Sequence, residues 1–476
     1  MNKNTVLIII FIYLTLNTLG QSNQSIRINI ASYEDTSLIL TSYFGNKIRL
    51  VDTAYSNKGK FEFKSNDNYP GGIYMAVSSN KIKLFEFIIN DEPKLSFSTD
   101  TLSIIRNMKI KGSKENEVFF EYVKFNESVY KQNRELSEKL RNTTKDEGEY
   151  FDLVSKLDSL NQVSIDYKLK IIREKPDLFV SKLLNSMREE EIPDSVKSLN
   201  DSLFTYNYYT NHYWDNLNLA DSRFLRTPML DKKVSEYFER LVVFQPDSVI
   251  KAIDLVLSKS KSSEEIFSYL IWRFVSEYQN PKYMGFDKVF VHLVETYFQN
   301  PDYNIENATE SVINTLVERS NKIKPLLLGS KAPNLILIDT TGQYTSFNDL
   351  KNKYLAIIFW DYDCGICKKE IKYVNENLLD WKYDIGIFAI NVNSDLDKWK
   401  AYVKDNNLDW TNVNGTRSVT SDFHDIYDIY GTPVIYLLNE ERNIVAKRMG
   451  AEQITTIIER LEKHVSISNK RTQIIN

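Results

Sequence analysis

The sequence is poor in cysteine, with two among 476 residues. These two, Cys364 and Cys367, are separated by two residues, and the single intramolecular disulfide that the chain can form joins them. A bridge across so short a loop removes little entropy from the unfolded chain. The cysteine count therefore excludes a fold held together by disulfides, and it favours a chemical role for the pair over a structural one.

Ligands for a zinc site are scarce as well. A structural zinc ion takes four ligands, most often cysteine and histidine. Apart from the pair, the chain offers no third cysteine and four histidines, which are His212, His292, His424 and His464. A metal centre is therefore disfavoured, and we expect no metal and no organic cofactor.

The chain also lacks an excess of positive charge. Sixty Lys and Arg residues against 64 Asp and Glu residues give a formal net charge of -4. Binding to a phosphate backbone favours a strong basic excess, so nucleic acid is not an expected partner. With 42% hydrophobic and 26% charged residues, the composition is that of a folded globular protein, and the length allows two to four domains.

A long apolar run occurs only at the N-terminus. It covers residues 6–16, follows Lys3 and precedes several small residues, which is the layout of a secretory signal peptide. The run is shorter than the roughly 20 residues that a membrane span needs. We therefore predict a signal peptide over residues 1–20 and an exported, periplasmic protein without a stable membrane span after processing. An uncleaved membrane anchor is the alternative.

Hydrophobic patterning divides the remaining chain into three parts. Residues 21–113 alternate apolar and polar side chains in short runs between turn signals, which predicts a β-rich domain of the sandwich or barrel type. Residues 114–326 carry apolar residues three and four positions apart, which predicts a mainly α-helical domain. In residues 327–470, strand patterns alternate with helix patterns, which predicts an α/β domain with a βαβ-type sheet.

The cysteine pair falls between a strand pattern and a helix pattern of the α/β part. The apolar run 355–360 predicts a buried central strand, and residues 368–379 have the period of a helix. A Cys-x-x-Cys motif in this position is typical of thioredoxin-like redox sites. The N–H groups and dipole at a helix N-terminus would stabilise a thiolate at Cys364, and Cys367 would lie one turn further along. Two unrelated free thiols are the less favoured alternative.

The C-terminal part resembles thioredoxin-like thiol–disulfide oxidoreductases of the TlpA/ResA type. The resemblance lies in three stretches, at residues 329–333, 359–370 and 431–438. The order of export signal, β-rich part and helical part resembles large exported thioredoxin-like proteins of Bacteroidetes. Residues 211–230 and 288–298 are similar to parts of their helical segment, for which the resemblance implies no reaction.

This resemblance implies roles for particular residues. Cys364 would attack a substrate disulfide, and Cys367 would resolve the mixed disulfide that results. Pro433 matches the cis-proline that faces the disulfide in this fold, and Thr432 before it would offer its backbone to an extended substrate. Glu370 matches a glutamate that tunes the pair, although an exposed helix acid is the simpler alternative.

The sequence departs from the common thioredoxin pattern next to the first cysteine. Asp363 occupies the position that is often Trp, and Ile358 replaces a buried acid. Proton transfer to the second cysteine then requires another base, for which Glu370 and water are candidates. Trp360 and Asp363 are expected to support the site. Asp361 and Asp363 should both disfavour a thiolate on the first cysteine, which is consistent with a reductant.

The resemblance implies a protein-disulfide oxidoreductase whose redox-active disulfide replaces a cofactor. Its expected partners are substrate proteins with disulfides and a membrane thiol reductase as electron donor. Association into a homodimer is a further possibility. Reduction is the expected direction, with oxidation or isomerisation as alternatives. A thiol peroxidase is another alternative, because residues 329–339 also resemble the opening of peroxiredoxins. A partner-binding protein with a tethered redox domain is a further alternative function.

Overall fold

The computed structural model describes residues 24–145, 148–378 and 382–475. The predicted signal peptide lies outside these residues. The described residues form two compact units, one with residues 24–241 and 259–266 and the other with residues 242–258 and 267–475. None of the helices in the described ranges combines the length and the apolar composition needed to cross a membrane.

The first unit begins with eight strands in two four-stranded sheets. One sheet has the order β4-β1-β7-β8 and the other has the order β3-β2-β5-β6. Strands β1 and β7 are parallel, and the other neighbours are antiparallel. The strands are β1 (Gln24–Ala31), β2 (Ser37–Phe44), β3 (Lys47–Tyr55), β4 (Lys60–Ser65), β5 (Gly72–Ser78), β6 (Lys83–Ile89), β7 (Lys94–Asp100) and β8 (Lys109–Lys111).

Apolar side chains from both sheets meet in a common core. On β1, Ile26, Ile28 and Ile30 are buried at every second position, as the alternation in the sequence predicts. The rings of Phe87 on β6 and Phe97 on β7 have centroids 4.8 Å apart, so residues from opposite sheets are in contact. The predicted β-rich domain is therefore a sandwich of two packed sheets.

Six helices follow in the first unit. The first two are long, and they run against each other as a hairpin. Pro228 occupies the first turn of the sixth helix, where its missing N–H group costs no hydrogen bond. The helices are α1 (Lys114–Asn142), α2 (Gly148–Glu174), α3 (Phe179–Ser186), α4 (Asp194–Lys197), α5 (Ser202–His212) and α6 (Pro228–Arg240).

A buried acid in the first turn of α1 caps a second helix. The carboxylate of Glu115 accepts the N–H groups of Phe179 at 2.7 Å and Val180 at 2.9 Å, where α3 begins. Burial raises the pKa of this carboxyl in spite of those hydrogen bonds. Next to it, the side chain of Asn116 bonds both the N–H and the carbonyl oxygen of Ile88 on β6. These two polar side chains connect the sandwich, α1 and α3.

The helical part of the chain continues with four more helices, most of whose residues belong to the second unit. The helical residues are thus divided between the two units, and the exact domain boundaries given by the sequence remain predictions. One turn of π-helix, Val294–Phe298, follows the third of these helices. The four are α7 (Pro246–Ser260), α8 (Glu264–Tyr278), α9 (Asp287–Leu293) and α10 (Glu310–Ile323).

The C-terminal part of the second unit is a seven-stranded sheet with helices between its strands. The strand order is β10-β9-β13-β12-β11-β14-β15, and β11, β12 and β13 are parallel. The succession of β-rich, helical and α/β parts that the sequence predicts is confirmed. The elements are β9 (Ile336–Asp339), β10 (Tyr344–Ser346), β11 (Tyr354–Trp360), α11 (Gly365–Asn377), β12 (Ile385–Asn391), α12 (Leu396–Asp405), β13 (Thr411–Ser418), α13 (Phe423–Ile426), β14 (Val434–Leu438), β15 (Ile444–Lys447) and α14 (Glu452–Ile475).

Strand β13 is a strand that hydrophobic patterning did not predict, because its side chains are mostly polar. Two of its asparagines, Asn412 and Asn414, are buried and donate hydrogen bonds inside the domain. Asn412 Nδ2 donates to the carbonyl of Leu408 at 2.8 Å, and Asn414 Nδ2 donates to that of Asn393 at 2.8 Å. Buried amides with partners can replace apolar residues in a strand, and periodicity cannot detect them.

We expect Glu115→Ala to lower the free energy of unfolding by about 1–3 kcal/mol, because it leaves buried N–H groups at the start of α3 without a partner. Urea unfolding followed by circular dichroism measures the change. Glu117→Ala is the matched control, since Glu117 is exposed and pairs with Lys114 in the same turn. That control should stay within about 0.5 kcal/mol of the unaltered protein. Equal effects of the two substitutions would contradict the capping role.

Candidate active site

The two cysteines lie where β11 ends and α11 begins. All seven residues of β11 are buried, and the chain leaves its end through a short turn. Cys364 is the N-cap of α11, with extended backbone angles of φ −81° and ψ 119°. The first N–H groups of a helix have no partner within the helix, so they point toward the N-cap residue. This arrangement directs unpaired N–H groups at the sulfur of Cys364.

One sulfur of the pair is accessible and the other is shielded. Cys364 is partly exposed, whereas Cys367 is fully buried, and both thiols are free. The N–H of Cys367 donates to Cys364 Sγ at 3.3 Å, and the Cys364 thiol faces the carbonyl oxygen of Thr432 at 3.8 Å. A substrate can therefore reach Cys364 first, with Cys367 one helical turn behind it.

The surroundings move the pKa values of the two thiols in opposite directions. Burial alone would raise the pKa of Cys364, but hydrogen bonds from Cys367 and from the N–H of Ile366 outweigh it and lower this pKa. Hydrogen bonding with Thr432 lowers it further. At Cys367, burial and the hydrogen bond with Cys364 raise the pKa to about 11. Near neutral pH, Cys364 is thus the readier source of a thiolate.

The acid Asp361 shapes the turn that precedes the pair. Its carboxylate accepts the N–H of Asp363 at 2.8 Å and the side-chain amide of Asn393 at 3.3 Å. Its carbonyl oxygen accepts the N–H of Cys364 at 3.1 Å. Asn393 follows β12, and its own carbonyl accepts the amide of Asn414 on β13. Residues that follow β11 and β12 and a residue within β13 therefore hold this turn together.

The second acid of the turn, Asp363, is exposed and precedes Cys364 directly. Its N–H donates a hydrogen bond to the carboxylate of Asp361, so both acids take part in forming the turn. The sequence suggests that both acids oppose a thiolate on Cys364. This remains a prediction, because the pKa of Cys364 is shifted by burial and by hydrogen bonds. The turn-forming role of Asp361 was not foreseen from the sequence.

Glu370 lies in the first half of α11, on the side that faces α14. Its carboxylate accepts the N–H of Ala451 at 2.6 Å, just before α14 begins, and the side chain is partly buried. It also lines a groove that contains Pro433. Glu370 thus has a structural partner, which an exposed helix acid would lack. Its predicted role in tuning the pair remains a prediction.

Trp360, the last residue of β11, is fully buried under the site. Its carbonyl oxygen accepts the N–H of Val392 at 2.9 Å, and its ring packs against Tyr402 at 5.5 Å between centroids. Ile358, two residues earlier, is fully buried in the same core cluster as Cys367. The strand therefore brings no carboxylate beneath Cys367, as the sequence indicates. Trp360 belongs to the same core cluster as Cys367, and its supporting role remains a prediction.

The peptide bond between Thr432 and Pro433 is cis, as the resemblance implied. The register of the sheet explains why this dipeptide reaches the cysteines: Phe359 near the end of β11 pairs with Val434 at the start of β14. The residues just after β11 and just before β14 are therefore neighbours. The Thr432 carbonyl oxygen lies next to Cys364 Sγ for this reason, with Pro433 directly after it.

A surface groove of about 420 Å³ runs along the cis-proline. It includes residues that sequence reasoning missed, among them Tyr430, which is 74% exposed, and Arg448. Ile366, between the cysteines, is 64% exposed. No motif marks Tyr430 or Arg448: Tyr430 lies in the segment before β14, which pairs with β11, and Arg448 directly follows β15, which pairs with β14. The groove is lined by Glu370, Asp428, Tyr430, Gly431, Pro433, Val434, Arg448, Met449 and Gly450.

The chemistry available at this site is that of its thiols. Within residues 24–145, 148–378 and 382–475, no three His, Cys, Asp or Glu side chains are grouped so that they could hold a metal ion. An accessible thiol of lowered pKa beside a buried thiol of raised pKa suits thiol–disulfide exchange. The attacking and resolving roles given to Cys364 and Cys367 by the resemblance remain predictions.

Family models match three consecutive parts of the chain. The AhpC/TSA family matches residues 328–447, which contain the whole cysteine site. Two matches are to families described as "Domain of unknown function", DUF4369 at residues 25–119 and DUF5106 at residues 128–322. The first of these covers the sandwich and the second covers most of the helical part. Neither description carries a function.

Among curated relatives, the thiol-disulfide oxidoreductase ResA of Bacillus subtilis (strain 168) is 33% identical over 119 residues. That alignment covers 25% of this chain and 64% of the relative, so the chain spans just under two thirds of its length. A protein of the same name from Bacillus cereus is 27% identical, over 26% of this chain and 71% of the relative.

Two solved structures are also similar. One is described as a domain of possible thiol-disulfide isomerase from Cytophaga hutchinsonii, at 36% identity, covering 30% of this chain and 98% of that chain with a TM-score of 0.27. The other is a thioredoxin-like protein from Bacteroides caccae, at 18% identity, covering 57% of this chain and 97% of that chain with a TM-score of 0.43.

The opposite pKa shifts predict different alkylation profiles for the two thiols. In Cys367→Ser, the remaining Cys364 should react with iodoacetamide at a rate that rises with pH through a midpoint below the usual thiol value of about 8.5. The serine hydroxyl keeps a hydrogen-bond donor near the sulfur. In Cys364→Ser, the remaining Cys367 should stay unmodified until the pH is far higher. Mass spectrometry of samples quenched over a pH series measures both rates.

Unfolding in guanidinium provides the control, because it should make the two single-cysteine variants react at equal rates. Equal rates in the folded proteins at neutral pH would contradict the asymmetry. So would a faster reaction of Cys367 than of Cys364.

Proposed function

The C-terminal part of this chain belongs to the thioredoxin-like proteins of the TlpA/ResA type, and from this premise we propose that the chain is an exported thiol–disulfide oxidoreductase that reduces disulfides in other proteins. The observation that carries the proposal is the asymmetric pair itself. Cys364 is accessible with a lowered pKa, and Cys367 is buried with a raised one. An accessible thiol of lowered pKa suits attack on a substrate disulfide, and a buried thiol one turn behind it is placed to resolve the mixed disulfide.

The proposed reaction has two exchange steps. The Cys364 thiolate attacks one sulfur of the substrate disulfide, which forms a mixed disulfide and releases the other substrate sulfur as a thiolate. Cys367 then loses its proton and attacks Cys364 Sγ, which breaks the mixed disulfide and releases the second substrate thiolate. The protein ends with a Cys364–Cys367 disulfide, and the substrate gains two electrons and two protons.

The second step requires Cys367 to become more acidic than it is in the dithiol state. Two of the causes that raise its pKa are the hydrogen bond with Cys364 and the charge on Cys364. Both disappear when the Cys364 sulfur is tied up in a mixed disulfide, and only burial continues to hold the pKa up. Glu370 and water are the candidate bases for this proton, and the substrate thiolate released in the first step is a third.

Reduction is the direction we propose. A strongly stabilised thiolate makes a dithiol a poor reductant, because it favours the reduced form of the pair. Asp361 and Asp363 place two carboxylates within three residues of Cys364, where negative charge opposes a thiolate. In an oxidising compartment the pair would then need a supply of electrons. A membrane thiol reductase is the proposed donor, and substrate proteins with disulfides are the proposed acceptors.

A thiol peroxidase is the second candidate, and the match of residues 328–447 to the AhpC/TSA family favours it. In that case Cys364 would attack a peroxide, become a sulfenic acid and release water or an alcohol, and Cys367 would condense with it. The accessible thiol faces the Thr432 carbonyl, next to the proline that lines the groove, and this placement favours a protein disulfide instead. Consumption of hydrogen peroxide faster than by an ordinary free thiol would support the peroxidase.

Trapping with Cys367→Ser tests the proposal. Without the resolving thiol, mixed disulfides between Cys364 and substrate proteins should accumulate and should be released by dithiothreitol. Diagonal electrophoresis of periplasmic extracts followed by mass spectrometry identifies the captured proteins. Cys364→Ser is the matched control and should capture none. Failure of the Cys367→Ser protein to form any mixed disulfide would contradict the enzymatic function.

A variant with both cysteines replaced by serine separates catalysis from binding. If the protein were mainly a partner-binding protein with a tethered redox domain, this variant would retain its partners and its phenotype. We expect loss of the phenotype instead, because the exchange reaction has no other thiol in the chain to use. The measurement is complementation of a deletion strain by each variant.

A further inference from the structure

The loop that carries Thr432 and Pro433 is held from behind by a cluster of charged residues. At its start, the carboxylate of Asp428 is almost completely buried, with 2% of the side chain exposed. It accepts a hydrogen bond from the guanidinium of Arg448 at 2.6 Å and forms a second ion pair with Arg319. Arg448 directly follows β15, whereas Arg319 lies in α10, outside the sheet domain.

Arg319 contacts this loop at two points. Besides its ion pair with Asp428, its guanidinium carbon lies 5.8 Å from the centroid of the Tyr430 ring. Tyr430 is exposed and lines the groove beside Pro433. Cations over aromatic rings at this distance attract one another. A single side chain from the helical part therefore holds both the buried and the exposed end of the segment that leads into the cis-proline.

The backbone at Asp428, where the loop starts, and at its ion-pair partner Arg448 needs such support. Asp428 and Arg448 both have φ of 54°, in the left-handed region that residues with a side chain rarely adopt. Conformations of this kind persist when the surrounding contacts hold them. Behind the loop lies a cavity of about 200 Å³, whose lining includes Arg319, Asp428 and Arg448. Packed side chains therefore do not fill that side, and the ion pairs carry more of the restraint.

We infer that Arg319 is a positioning residue for the cis-proline loop and thereby for the binding of protein substrates. Through Asp428 and Tyr430 it fixes the distance of the Thr432 carbonyl and of Pro433 from Cys364. The inference rests on the proposed function. It also assigns a task to the part of the chain that matches the DUF5106 domain of unknown function, because Arg319 falls within residues 128–322.

Arg319→Met tests this inference, since methionine keeps much of the length but removes the charge. Insulin reduction with dithiothreitol as electron source should show a KM about tenfold higher, with kcat changed little, because a loosened loop misplaces a protein substrate. The reaction with hydroxyethyl disulfide, which is too small to occupy the groove, should stay within about twofold. Arg319→Lys should restore part of the insulin affinity, because it returns the charge to Asp428.

Lys324→Met is the matched control. Lys324 lies just after α10 and pairs with Glu295, and neither residue lines the groove. Its kinetics should match those of the unaltered protein. Equal KM values for Arg319→Met and Lys324→Met would overturn the inference, as would an equal loss of both reactions in Arg319→Met. If Arg319→Met does not fold, Arg319→Lys carries the test: its KM for insulin should exceed that of the unaltered protein, and an unchanged KM would overturn the inference.

Hydrogen exchange gives a measurement that does not depend on activity. Mass spectrometry should show faster amide exchange over residues 428–433 in Arg319→Met than in Lys324→Met. Unchanged exchange would overturn the inference even if the unaltered protein reduces insulin. Conversely, faster exchange in a protein that reduces neither disulfide would support the positioning role and contradict the proposed oxidoreductase function. Failure of the positioning role and failure of the proposed oxidoreductase function are thus distinguishable.

Discussion

The active-site arrangement depends on one local contact, the hydrogen bond from the N–H of Cys367 to the sulfur of Cys364. It exists because a fully buried strand ends at Trp360 and a helix begins soon after it, with a cysteine as its N-cap. A sulfur at this position meets N–H groups that have no partner in the helix, and negative charge on it is stabilised. The same turn of helix places Cys367 in the core, where negative charge is disfavoured.

Two further elements make this contact usable by a substrate. The amides of Asn393 and Asn414 and the carboxylate of Asp361 fix the turn before Cys364. On the other side, the pairing of β11 with β14 brings the Thr432 carbonyl next to the sulfur. The sulfur thus lies between a rigid turn and the edge of a groove.

The sequence predicts the position of the cysteine pair between a buried strand and a helix, because the relevant signals are local. Two cysteines separated by two residues, a run of buried residues before them and a helical period after them are all read within residues 355–379. The cis bond at Pro433 came from the resemblance to a family and is present in the structure. Contacts between residues that are far apart in the sequence could not be predicted. Asp361 acquires its partner from the end of β12, Glu370 from the residue before α14, and Arg319 from a loop far along the chain. Strand β13 escaped prediction because buried amides replace apolar residues in it.

The reduction potential of the Cys364–Cys367 pair tests the central claim most directly. The protein without its predicted signal peptide would be equilibrated with glutathione buffers of known potential, alkylated and analysed by mass spectrometry. A reductant should give a value at or below about −230 mV, on the side of thioredoxin at about −270 mV. A value near −120 mV, roughly that of the strong oxidant DsbA, would contradict the account.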